Sequence, residues 1–135
     1  VLSYGQQVHD LSTLNLAAGG VWNPGPSPSG FWIGGAAGDW HTAANWCGGV
    51  PNGVTNVVIP NGTTVSITTM DANANSISIE AGGNLTVTGI NNINITSGGS
   101  FNNNGTYNAA PIGAVIFNGG ATVTGNCIFN HVEIS

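Results

Sequence analysis

From Val54 onward the chain alternates apolar and polar residues in short runs: TVSIT, SISIE, NLTVTG, INITS, AVIF, TVTG and HVEIS. A period of two marks strands with one buried face. The pattern turns Val65, Ile67, Ile77, Ile79, Leu85, Val87, Ile93, Ile95, Val132 and Ile134 inward. It turns Ser66, Thr68, Ser76, Ser78, Thr86, Thr88, Asn94 and Thr96 outward. The first three runs recur about every ten residues, joined by Gly, Asn and Asp turns. Two all-β architectures fit: an antiparallel β-sandwich or barrel, and a parallel β-solenoid. Three features favour the solenoid. The runs are only four or five residues long, and few connectors are two-residue hairpin turns. Asn also recurs at the expected corners, INNIN and FNNNGTYN, where stacked coils can build amide ladders.

The first 50 residues follow a different rule. All four Trp lie within the first 46 residues, with three of the six Pro. Residues 1–30 read as an N-terminal arm or linker, with a short strand pair or an arm lying on the rest over VLSYGQQVHDLSTLNLAAGG. Residues 31–135 read as the solenoid domain, opened by a Trp-, Pro- and Gly-rich cap over 31–53. Within GDWHTAANWCGGVPNGVTNVVIP, Trp40 and Trp46 stand six apart and can cover the first apolar coil. Asp39 and Asn45 would cap turns, Pro51 to Gly53 would form the next turn, and Val57 to Ile59 the first coil.

Composition narrows the function. The 135 residues include no Lys and no Arg, and the formal net charge is −5. Only 4% of residues are charged, against about 25% in an ordinary domain. With no cation to replace counterions at phosphates, nucleic-acid binding is excluded, and so is a polybasic membrane contact. Hydrophobic residues make up 41%, which argues against disorder. Solubility falls to neutral polar groups, among them 19 Asn, which suit strands and turns. No apolar run approaches a membrane span of about 18 residues, and no signal peptide is visible, so Val1 fits a processed mature end. A chain without Lys or Arg offers trypsin no site, which fits an exposed extracellular life. Cys47 and Cys127 could pair in an oxidising compartment, or stand as one buried thiol and one loop thiol.

Candidate chemistry is sparse. Asp39, His41 and Cys47 lack zinc spacing and are too few. Asp71, Asn73 and Asn75 begin like a calcium loop, but position six is Ser76 and position twelve is Gly82. They read better as a turn leading into a strand at Ser76–Glu80. Three Asp and two Glu, none close in sequence, give no acid–base pair, so no enzyme and no cofactor are expected. Trp32, Trp40 and Trp46 are cap contacts or, if exposed, a platform for glycan rings. The outward Thr and Ser rows are similar to ice-binding solenoid faces, though Asn is mixed into them. Asn61, Asn84, Asn94 and Asn104 begin glycosylation triplets, which arise readily in such composition.

The order W-x-G, G-D-W-x-x-x-x-N-W-x-x-G-x-P falls on Trp32, Gly34, Gly38, Asp39, Trp40, Asn45, Trp46, Gly49 and Pro51. A VVIP-x-G strand follows at Val57 to Gly62, then FNNNGTYN at Phe101 to Asn108 and VIFNG at Val115 to Gly119. This arrangement resembles the Gly/Asn-rich repeat surface proteins exported by the type IX secretion system. The resemblance implies a right-handed parallel β-helix in a secreted or bacterial cell-surface protein, structural or adhesive, often filament-forming. It brings no catalytic residues. Such proteins are usually longer, so the chain is expected to be a fragment or a subunit whose open end is covered. The expected partners are other copies of itself or the remainder of a longer chain, with glycans as an alternative.

Overall fold

The computed structural model describes residues 29–135, and almost all of the expected N-terminal arm lies outside the described residues. The fold is all-β, a parallel solenoid of about three turns. Its strands are β1 (Ala37–Asp39), β2 (Asn56–Ile59), β3 (Thr64–Ile67), β4 (Ala72–Ile79) and β5 (Asn84–Val87). They continue with β6 (Ile93–Asn103), β7 (Thr106–Ala109), β8 (Val115–Phe117), β9 (Thr122–Gly125) and β10 (Val132–Ile134). Every pairing between these strands is parallel, which rules out the sandwich.

The coils have three faces. The first stacks β2, the end of β4, the end of β6, and β9. The second stacks β1, β3, β5 and β7. The third stacks the start of β4, the start of β6, β8 and β10. The β4–β6 register shifts between Ala74 and Ser76, where the chain turns from the third face to the first. Asn73 and Asn75 therefore belong to a strand that already starts at Ala72, rather than to a turn before Ser76.

The inward columns are the core. Val57, Ile77 and Phe101 stack on the first face, Val65 and Leu85 on the second, and Ile93 and Val115 on the third, all buried. Each such side chain stabilises the fold by about 1.5–3 kcal/mol relative to exposure. Two glycines, Gly99 buried and Gly105 half-buried, allow the coils to close up: a Cβ on Gly99 would run into the carbonyl oxygen of Asn75, and one on Gly105 into those of Gly83 and Glu80. Polar corners stack too. Asp71 accepts from the backbone N–H and side-chain amide of Asn92, whose own Oδ1 accepts from the N–H of Ala114 at 3.0 Å. Asn75 donates to Asn56 Oδ1 at 2.8 Å and accepts from Thr96 at 3.0 Å. These ladders satisfy turn groups that a dry core would leave unpaired.

Two expectations change. The cap is less irregular than its composition suggests: Phe31 bridges Val58 in parallel and β1 pairs with β3, so the cap supplies a partial coil before β2. Val132 and Ile134 do not point into a closed core. They are 41% and 77% exposed, because β10 has β8 on one side and no strand on the other among the described residues.

Candidate functional site: the two ends of the stack

One end is sealed. Trp32, Trp40 and Trp46 are buried, at 3%, 0% and 2% exposure. Trp46 meets Trp32 edge-on at 4.9 Å between centroids and Trp40 at 5.0 Å. Its indole N–H donates to the Trp40 carbonyl at 2.7 Å. Trp32 donates to the Gly35 carbonyl at 2.8 Å. Asn45 donates to the Asp39 carbonyl at 2.9 Å, the turn-capping role expected of it. The seal carries two costs: the Trp40 Nε1 and the His41 Nδ1 are both buried without a hydrogen-bond partner. No ring face is left for a sugar, so the platform reading of Trp32, Trp40 and Trp46 is overturned and their lid reading stands.

Asp39 and His41 serve the same lid. Asp39 accepts from the His41 backbone N–H at 2.8 Å and from the Thr68 hydroxyl at 2.6 Å. The His41 ring contacts the Asp71 carbonyl at 3.1 Å. Cys47 is buried elsewhere, its N–H donating to the Phe31 carbonyl at 2.9 Å. Among the described residues no three His, Cys, Asp or Glu side chains converge as a metal-binding group would require.

Both cysteines are free thiols, Cys47 buried and Cys127 half-buried, so of the two readings left open the unpaired one holds. Cys47 sits on the Phe31 rung and Cys127 on the Thr124 rung, with Val58, Ser78 and Asn102 between. Four rung spacings cover about 19 Å, whereas a disulfide needs Cα atoms within about 7 Å. Burial pushes the Cys127 thiol up, partly offset by the backbone of Asn103.

At the other end no coil lies above the last one among the described residues. The last coil takes a shortcut, since β9 leads to β10 without a strand on the second face. Phe129 fills part of the gap. It lies 5.3 Å from Phe101, 5.7 Å from Tyr107 and 6.2 Å from Phe117 between ring centroids. Asn103 anchors this coil from below, donating to the Asn126 carbonyl at 2.7 Å and accepting from the Gly105 N–H at 3.1 Å. Beside Phe129 an apolar hollow of about 230 Å³ remains, lined by Phe117, Ala121, Val123, Val132 and Ile134 with Gly119. The sequence missed the corner role of Asn103 and the fact that Phe129, a core-packed residue, closes a shortened coil. The signal was present: FNNNG closes its turn earlier than the preceding runs, and NCIFNH lacks a second-face alternation.

Burial pushes the Tyr107 hydroxyl up to about 12. The folded state holds this proton more tightly than the unfolded chain does. Stability is therefore intact below about pH 10, the unfolded value, and falls as pH rises towards about 12, by at most about 2 kcal/mol for this partly exposed ring. Urea midpoints between about pH 9 and about pH 12 should drop, and Tyr107→Phe should flatten that part of the curve.

The sides are polar and mixed. On the second face, Thr64, Asn84 and Thr106 form one column, and Ser66, Thr86 and Asn108 the other, so neither is an unbroken row of Thr. The turns leading to the third face carry Met70, Ile90 and Ile112, all exposed, as an apolar ridge.

No curated protein and no solved structure matches the chain. The model of one family, described as a domain of unknown function (DUF8693), matches residues 31–133, from the Phe31 rung to the middle of β10. The lid and the coils therefore form one recurring unit, and the chain belongs to the DUF8693 family.

Proposed function

We propose that the chain is a structural or adhesive module of a secreted or cell-surface assembly, acting through association rather than catalysis. The observation that supports this most is the contrast within the described stack: a Trp-sealed cap at one end, and at the other a coil whose Val123, Val132 and Ile134 stay exposed for whatever packs on it, further chain or partner. A solenoid end of this kind invites strand addition. The absence of Lys and Arg supports an exposed setting, and the resemblance to type IX-exported repeat proteins points the same way. A glycan on the buried Trp residues is not part of this reading.

Surface shaving tests it. Intact producing cells, or their culture fluid, are treated with proteinase K, since trypsin has no site in the chain. The module should be accessible without lysis. A chain that stays protected until the cells are broken overturns the reading.

A further inference from the structure

We infer that Asn52 is a self-modifying site: the Asn52–Gly53 pair closes to a succinimide, loses ammonia and opens to aspartate or isoaspartate, while the other Asn–Gly pairs hold. The inference is independent of the association reading above. An Asn–Gly pair is prone to this chemistry because glycine puts no side chain over the attacking nitrogen. The chain has four such pairs: Asn52–Gly53, Asn61–Gly62, Asn104–Gly105 and Asn118–Gly119. Local sequence ranks them nearly alike, and the fold separates them. The nucleophile is the glycine nitrogen, which must first give up its proton to hydroxide. At three of the pairs that N–H is already spent. Gly62 donates to the Gly82 carbonyl at 3.0 Å, Gly105 to Asn103 Oδ1 at 3.1 Å and Gly119 to the Ser135 carbonyl at 2.7 Å. Among the described residues the Gly53 N–H meets no acceptor. Its pair lies in a surface turn, with Asn52 exposed and Gly53 half-buried, within reach of water and hydroxide.

The electrophile is prepared as well. Asn52 Oδ1 accepts from the Val54 N–H at 3.0 Å and, by a longer bond, from the Thr55 hydroxyl at 3.3 Å. When the Gly53 nitrogen bonds to Asn52 Cγ, negative charge moves onto this oxygen. Donors already aimed at it stabilise that charge, as in an oxyanion hole. The Thr96 hydroxyl pins the same turn by donating to the Gly53 carbonyl at 2.9 Å. Collapse of the tetrahedral carbon breaks its bond to the side-chain nitrogen, which takes a proton from water and leaves as ammonia. Water then adds to either ring carbonyl, so the net change is one water in and one ammonia out. The aspartate product keeps an oxygen for Val54 and Thr55 and leaves the turn intact. The isoaspartate product runs the backbone through the former side chain and adds a methylene close to Thr55. Thr55 is buried, and its carbonyl accepts from the Asn75 N–H at 2.8 Å, where β4 turns onto the first face. That product should loosen the junction between the lid and the first coil. Either product adds one negative charge to the formal −5.

Ageing the full 135-residue chain at mildly alkaline pH, folded and in urea, tests this. Peptic mapping with mass spectrometry follows the four asparagines together, and Asp-N digestion marks the aspartate product by a new cut before residue 52. In the folded chain Asn52 should react about tenfold faster than each of Asn61, Asn104 and Asn118, whose glycine N–H must first leave its acceptor. In urea the four rates should converge, because the bonds that separate them are gone. Amide exchange of the folded chain should find Gly53 fast and Gly62, Gly105 and Gly119 protected. Asn52→Ser keeps an oxygen in the turn and should remove most of the acidic species that ion exchange resolves on ageing. Folded rates that stay level across the four sites overturn the inference, as does an Asn52 that outlasts the others. So does a Gly53 amide as protected as the other three, or an Asn52→Ser variant that acidifies as fast as the parent chain.

Discussion

Trp46→Ala is expected to lower stability by about 3–5 kcal/mol, the usual cost of emptying a large aromatic site in a core. A domain of this size holds about 5–15 kcal/mol in all, so the loss is a large share. The side chain is the centre of the lid, touching Trp32 and Trp40 edge-on. Its removal also strips the Trp40 carbonyl of its 2.7 Å donor. Trp46→Phe separates the two effects. It keeps an aromatic ring and loses the N–H, and should cost about 1–3 kcal/mol. Urea unfolding followed by tryptophan emission and by far-UV circular dichroism gives both values. If the lid closes the core as described, Trp46→Ala also lets the first coil open before the rest, so the two probes part company. Coincident probes with a loss under about 1 kcal/mol, the range of a surface change, would show that Trp46 is not holding the end.

Phe101→Ala should cost a similar 3–5 kcal/mol or so, but its effect falls at the opposite end. Phe101 is fully buried and packs against Tyr107 and Phe129 at 5.3 Å each. Phe129 is the plug of the shortened last coil, and without Phe101 it has little to rest on. Calorimetry should show a lower Tm together with early loss of hydrogen-exchange protection in β9 and β10. Phe101→Leu keeps most of the volume and should cost about 1.5 kcal/mol or less. A solenoid behaves as a row of neighbours, each coil stabilised by the next. The two alanine variants therefore weaken different ends, and their costs should add when combined.

The strand pattern was legible because alternation is a local signal. Val65, Ile67, Ile77, Ile79, Leu85, Val87, Ile93 and Ile95 all lie in the core as the period of two required. The same rule misplaced Val132 and Ile134. Alternation says which residues share a face, but burial needs a neighbouring coil, and that is a tertiary fact. The lid was legible in outline because Trp40 and Trp46 stand six apart across a turn. That the lid includes a rung of its own was not, since β1 reads AGD and has no apolar alternation. Asn103 was hidden for a related reason. It occupies a column held by Ile59 and Ile79 in the coils before it, yet its amide is turned to the two carbonyl and N–H groups of a tight corner. An inward Asn looks like an exposed one until its partners are known. The cysteines show the limit most plainly, because sequence distance says nothing about the three rungs between them.

The stack also has a mechanical grain. Strands run around the axis, while the hydrogen bonds between coils run along it. A pull that separates the sealed end from the last coil loads those bonds in tension, one coil boundary at a time, instead of shearing many at once. Partner positions on the first face are 20, 24 and 22 residues apart, at Val57, Ile77, Phe101 and Val123. Each coil released would pay out about 70–80 Å of extended chain. The module would then yield in a series of small, nearly equal steps, and act as a tether that lengthens under load before it parts.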